Sequence, residues 1–66
     1  MIQQANEIAS RFAGFAREDA IEHVRQHLQR FWDREQREQL FAHIARGGEG
    51  LNELVVEAAR LMRKDA

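Results

Sequence analysis

Residues 27–51 constrain the fold of this chain most, because three helix signals follow one another there. An apolar helix pattern ends at Phe31 and Trp32, and a second pattern begins directly after Asp33. The second pattern stops at residues 47–50, called here the glycine corner, which hold three of the four glycines of the chain. Glycine tolerates the positive φ angles of sharp turns. The segment therefore predicts short helices that meet at tight connections.

Apolar residues at spacings of three and four predict four helices, over residues 2–13, 17–31, 34–46 and 53–63. No segment has the alternating pattern of a strand, so the predicted fold class is all-α, a small bundle of four short helices with tight connections. The predicted inward-facing residues, in chain order, are Ile2, Ala5, Ile8, Ala9, Phe12, Ile21, Val24, Leu28, Phe31, Leu40, Phe41, Ile44, Leu54, Val55, Ala58, Leu61 and Met62, and Arg37 shares the face of Leu40, Phe41 and Ile44.

The helix boundaries have local signals. Gly14 is placed to end the first helix in a left-handed conformation. Asp33 and Gln36 have the spacing of a capping box, and Asn52 is the expected N-cap of the fourth helix. Asp33 and Arg37 have the spacing of an i,i+4 ion pair. The bases late in the fourth helix, where they complement the helix dipole, are Arg60, Arg63 and Lys64.

The 66 residues form one helical domain, residues 1–66, in this interpretation. Below about 70–80 residues, a core rarely supplies more than about 3–5 kcal/mol without disulfides, a metal or oligomerisation. The chain has no cysteine, which excludes disulfides and agrees with the predicted location, a reducing cytoplasm. Association with itself or with another chain is the remaining source of stability.

The composition also limits the possible functions. The net charge is −1 with acids and bases interspersed, whereas nucleic-acid binding needs a clustered basic face. No apolar run approaches the about 20 residues of a membrane span, and no signal peptide is predicted. Without Cys, Thr or Tyr, and with only Ser10 and Lys64 as nucleophiles, the chain offers almost nothing for covalent catalysis. The sequence predicts no catalytic residue and a chain that is not an enzyme.

Two features resemble ligand sites. His23 and His27 are four residues apart on one helix face, but Val24 stands where a zinc protease has glutamate, so surface or interface histidines are favoured over a metal site. The glycine corner precedes a helix N-terminus, where anions can bind. Glu49 and Glu53 would repel an anion, and an inter-helix turn is the preferred interpretation.

Nearly the whole chain resembles, in register, the small delta subunit of NAD-dependent formate dehydrogenases. The combination of a Phe-Trp-Asp run with the glycine corner carries most of the resemblance. The matching positions are Ala5, Asn6, Glu7, Ile8, Ala9, His27, Leu28, Phe31, Trp32, Asp33, Arg37, Leu40, His43, Gly47, Gly48, Glu49, Gly50, Leu51, Leu54, Val55, Ala58 and Ala59.

The resemblance implies a non-catalytic accessory subunit that binds the large catalytic subunit and supports its assembly or stability. Such complexes oxidise formate to carbon dioxide at a molybdenum–pterin centre and pass electrons through iron–sulfur clusters and FMN to NAD. These cofactors are expected in the partner subunits and none in this chain. The predicted partner interface comprises Phe31, Trp32, Asp33, Arg37, His43, Gly47, Gly48, Gly50 and Leu51. For Phe31 and Trp32 a place in the core is the alternative: if the helix continues, Phe31 faces inward and Trp32 lies off the centre of the apolar stripe.

Two other functions stay open at this point. One is a self-associating helical interaction module unrelated to redox enzymes, which would form a homo-oligomer in isolation. The other is a helix-turn-helix nucleic-acid binder, which the mixed charge of every helix disfavours.

Overall fold

The computed structural model describes the backbone of residues 1–65 and the side chains of residues 1–63. It consists of four helices: α1 (Ile2–Arg11), α2 (Arg17–Phe31), α3 (Arg34–Ala45) and α4 (Glu53–Asp65). Residues 1–65 contain no strand, and the all-α prediction is confirmed. The side chain of Lys64 lies outside the described part of the chain.

The core lies chiefly between α2 and α4, which form the most extensive helix pair. Val24 and Leu28 of α2 and Val55 of α4 are completely buried, as is Leu40 of α3. Burying such a side chain contributes about 1.5–3 kcal/mol relative to leaving it exposed. Among residues 1–63, the buried ones are Ala5, Ile8, Ala9, Ala20, Val24, Leu28, Trp32, Leu40, Val55, Ala58, Ala59 and Met62.

Two predicted helix details are wrong. α1 ends at Arg11, before Gly14, because the N–H groups of Phe12 and Ala13 donate to carbonyls three residues back and tighten the last turn. Gly14 is not among the glycines with positive φ. On α4, Leu61 was expected to face inward but is 40% exposed. The buried face of α4 lies beside it and includes Ala58 and Met62.

The largest correction concerns two adjacent residues. The helical pattern places Phe31 in the core, but Phe31 is 67% exposed and Trp32 is only 8% exposed. α2 ends at Phe31, and Trp32 has extended backbone angles, φ −88° and ψ 138°. This change of direction returns the indole to the hydrophobic core and leaves the ring of Phe31 outside it.

Asn6, in the second turn of α1, joins this helix to the glycine corner and to Asn52. No side chain caps α1 at Met1, which leaves its first turn without local support. Asn6 supplies the connection: its Nδ2 donates to the carbonyl of Gly50 at 2.8 Å, and its Oδ1 accepts from the backbone N–H of Asn52 at 2.7 Å. One amide thus joins α1 to the residues that begin α4.

We expect Asn6→Ala to lower the free energy of unfolding by about 1–3 kcal/mol, because both hydrogen bonds are lost together. Ser10→Ala is the matched control on the same helix, since Ser10 Oγ donates only to the nearby carbonyl of Glu7. Urea denaturation followed by circular dichroism measures both variants. Equal midpoints for the two variants would contradict the bridging role of Asn6.

Candidate partner-binding surface

Asp33 has a structural role at the start of α3. Its Oδ1 accepts from the N–H of Gln36 at 2.8 Å, and Gln36 Oε1 accepts from the N–H of Asp33 at 3.1 Å. This reciprocal pair is the predicted capping box, which is confirmed. Asn52 likewise caps α4 as predicted, because its Oδ1 accepts from the N–H of Leu54 at 2.9 Å.

Arg37 holds the end of α2 against the start of α3. Its Nη1 donates to the carbonyl of Trp32 at 2.8 Å and to that of Gln29 at 3.1 Å. The predicted ion pair with Asp33 is wrong, since no such pair occurs among the described side chains. The C-terminal carbonyls of a helix lack partners within the helix, and here the guanidinium binds two carbonyls at the end of α2, those of Gln29 and of the C-cap Trp32.

The glycine corner is a backbone turn stabilised from α3. Gly47, Gly48 and Gly50 have φ angles of 117°, 66° and 83°, so the predicted positive angles are confirmed. The carbonyl of His43 accepts from the N–H of Gly48 at 3.0 Å. The ring of His43 donates through Nε2 to the carbonyl of Glu49 at 2.7 Å. The side chain and the backbone of His43 therefore both stabilise the turn through hydrogen bonds.

The last apolar residue of the predicted interface, Leu51, is partly buried against the core. Its N–H donates to the carbonyl of Gly48 at 3.1 Å, which closes the corner before α4. Within the predicted interface, Phe31 is thus the large apolar side chain that the fold leaves in solvent.

Phe31 belongs to a larger group of rings. We call Phe12, Phe15, His23, His27 and Phe31 the aromatic surface. The ring of His23 stacks on Phe12 with centroids 5.0 Å apart and meets Phe15 edge-on at 4.9 Å. The ring of His27 lies 4.7 Å from that of Phe31. Phe15 is 49% exposed, so apolar rings face solvent at both ends of the group.

An open groove of about 170 Å³ runs along this surface. Its lining residues are Phe12, His23, Gln26, His27, Arg30 and Phe31. Arg30 is exposed and has no ion-pair or hydrogen-bond partner among the side chains of residues 1–63. Arginine and aromatic residues, phenylalanine among them, are both enriched in protein interfaces.

The carboxylate of Glu22, next to His23 in the chain, is already engaged within α2. Arg25 Nε donates to Glu22 Oε2 at 3.0 Å, and Gln26 Nε2 donates to Glu22 Oε1 at 3.2 Å. The hydrogen bond from Arg25 lowers the pKa of Glu22; desolvation opposes this shift, and Gln26 adds to it. Glu22 therefore stays ionised and paired with Arg25.

The geometry gives the two histidines a ring-packing role. Within the described part of the chain, no three His, Cys, Asp or Glu side chains are grouped so that they could hold one metal ion. The sequence already showed that His23 and His27 share a face. Phe31 lies four residues after His27, so the spacing of these three rings could have indicated one part of the aromatic surface. The contribution of Phe12 and Phe15 could not be predicted, because it depends on how the chain turns between α1 and α2.

None of the helices described here is both long enough and apolar enough to cross a membrane.

Comparison with known proteins identifies one family. The model of the NADH-dependent formate dehydrogenase delta subunit, FdsD, matches residues 1–59. No curated protein and no solved structure gives a significant match.

Proposed function

Because the chain belongs to the delta-subunit family of NADH-dependent formate dehydrogenases, we propose that it is a non-catalytic accessory subunit of such a complex. In this role it binds the large catalytic subunit and supports the assembly or stability of that subunit. The complex oxidises formate to carbon dioxide with NAD as acceptor, in the cytoplasm. This chain contributes a binding surface rather than a reaction step.

The exposed aromatic surface is the observation that carries the proposal. Phe31 alone is 67% exposed, although phenylalanine is among the residues most often found buried. Contiguous exposed apolar groups that are rimmed by polar residues mark interaction sites. A partner that covers Phe31 and Phe15 would supply the burial that a chain of 66 residues obtains only in part by itself.

The predicted interface residues divide into two roles in this proposal. Phe31 contacts the partner, together with the other rings of the aromatic surface. Trp32, Asp33 and Arg37 fix the turn that presents Phe31, because they anchor the chain in the core, cap α3 and bind the last carbonyls of α2. His43, Leu51 and the glycine corner set the position of α4 against which α2 packs.

The chemistry of the chain supports a role without cofactors of its own. It has no cysteine, so it offers no thiolate ligands for iron–sulfur clusters. We place the molybdenum–pterin centre, the clusters, FMN and the NAD site in the partner subunits. The residues of this chain then act by binding and by shielding partner surface from water.

Co-expression with the large catalytic subunit tests the proposed function. We expect the two chains to co-purify through affinity and size-exclusion steps, and the large subunit to lose soluble yield or thermal stability when this chain is omitted. A large subunit that never associates with this chain, and that is fully stable and active alone, would overturn the proposal.

A further inference from the structure

The groove beside Phe31 has a chemical character that specifies the segment it accepts. We propose that it binds an amphipathic helix of the large catalytic subunit, whose apolar residues contact the rings and whose carboxylate pairs with Arg30. This inference rests on the proposed function and names the kind of partner segment involved.

The shape of the groove fits a helix. His23, His27 and Phe31 lie on successive turns of α2, a ridge of about 12 Å at 1.5 Å per residue. Phe12 and Phe15 flank its first turn through their contacts with His23. A groove of about two helical turns accepts apolar residues spaced i, i+3 or i+4, and i+7 on a partner helix. The groove is open rather than enclosed, so side chains can enter from solvent.

The charges of the groove specify an acidic partner. Its lining contains the guanidinium of Arg30, two imidazoles and an amide, but no carboxylate. The carboxylate of Glu22 is held by Arg25. No carboxylate of residues 1–63 pairs with Arg30, so its guanidinium is available to a carboxylate of the partner, which it can bind through two parallel hydrogen bonds. Burial of Arg30 by a purely apolar helix would leave its charge desolvated and unpaired.

A second copy of this chain fits the groove poorly. In a two-fold symmetric dimer the same patch faces itself. Each Arg30 would then meet the imidazoles and guanidinium of an identical groove, which offers no carboxylate. Like charges placed opposite each other across an interface oppose association.

The test compares Arg30→Glu with Arg46→Glu in complexes with the large catalytic subunit. Both arginines are exposed and have no ion-pair partner among residues 1–63, but Arg46 lies at the end of α3, outside the groove. We expect Arg30→Glu to weaken binding by about tenfold or more, because it places a carboxylate opposite a carboxylate. Arg46→Glu should change the dissociation constant by less than about twofold, and Arg30→Lys should retain part of the affinity, since lysine keeps the charge but loses the planar fork.

Circular dichroism must show that all three variants retain the wild-type helical content. Hydrogen exchange of the complex should show protection in a helical segment of the large subunit that carries an acidic residue. If Arg30→Glu and Arg46→Glu both bind the large subunit with the affinity of the wild-type chain, the inference is overturned but the proposed function is not. Protection confined to a loop would have the same consequence, as would a homodimer of the isolated chain that Phe31→Ala dissociates. If the wild-type chain does not bind the large subunit at all, both proposals fail.

Discussion

Trp32→Ala should unfold most of the domain, whereas Phe31→Ala should leave its stability nearly unchanged. Trp32 is 8% exposed and belongs to the core, while Phe31 is 67% exposed. Truncating a buried tryptophan to alanine costs about 3–5 kcal/mol. A core of this size rarely supplies more than about 3–5 kcal/mol. The substitution therefore removes about as much stability as the fold has, and little folded protein should remain.

Thermal and urea denaturation followed by circular dichroism measure the effect. Tryptophan fluorescence is unsuitable, because Trp32→Ala removes the only tryptophan of the chain. Trp32→Phe is the matched variant, which keeps an aromatic ring in the same site and should lose less stability. A Trp32→Ala variant with a wild-type midpoint would show that the indole is not part of the core. A Phe31→Ala variant that unfolds would place that ring in the fold rather than on a binding surface.

The sequence predicted the helices and their starts well because those features depend on neighbouring residues. The capping box joins Asp33 and Gln36, which are three positions apart, and the cap of α4 joins Asn52 to the N–H of Leu54, two positions further on. Positive φ angles at the glycine corner follow from the lack of a β-carbon, which is a property of glycine itself. Each of these predictions needed no knowledge of the tertiary structure.

Local rules could not predict that Trp32 is buried and Phe31 exposed. A periodic pattern assumes that the helix continues, so it places Phe31 on the buried line and Trp32 beside that line. One residue with extended backbone angles reverses this order. The reversal depends on Arg37, which reaches back to the carbonyls of Gln29 and Trp32 across the turn. That arrangement exists only once the turn between α2 and α3 has formed.

The bridge made by Asn6 was missed for a similar reason. Asn6 Oδ1 accepts from the N–H of Asn52, a residue 46 positions away in the chain. Helix periodicity assigns an asparagine beside the apolar stripe to the surface, and no local rule connects it to a distant turn. The sequence shows no clear N-cap before α1, which left two possibilities for its first turn: that it frays, or that something else holds it.

Phe31→Ala should weaken binding to the large catalytic subunit by about 30-fold or more, since loss of an interface hot spot costs about 2 kcal/mol or above. The exposed ring does little for the fold and is therefore available for burial against the partner. Leu61→Ala is the matched control, because Leu61 is another large apolar residue, 40% exposed, but lies on α4 away from the groove. Its dissociation constant should stay within about twofold of the wild-type value.

Titration of the purified large subunit with each labelled variant gives these dissociation constants, and the unfolding midpoints show that the variants remain folded. Equal weakening by Phe31→Ala and Leu61→Ala would indicate a general effect on the bundle and contradict a specific role for Phe31.

The double variant of Phe31→Ala with Arg30→Glu adds a stronger criterion. If one partner helix covers both side chains, their effects should be non-additive by about 0.5 kcal/mol or more, as expected for residues that share a contact. Strict additivity would place Phe31 and Arg30 against separate parts of the partner.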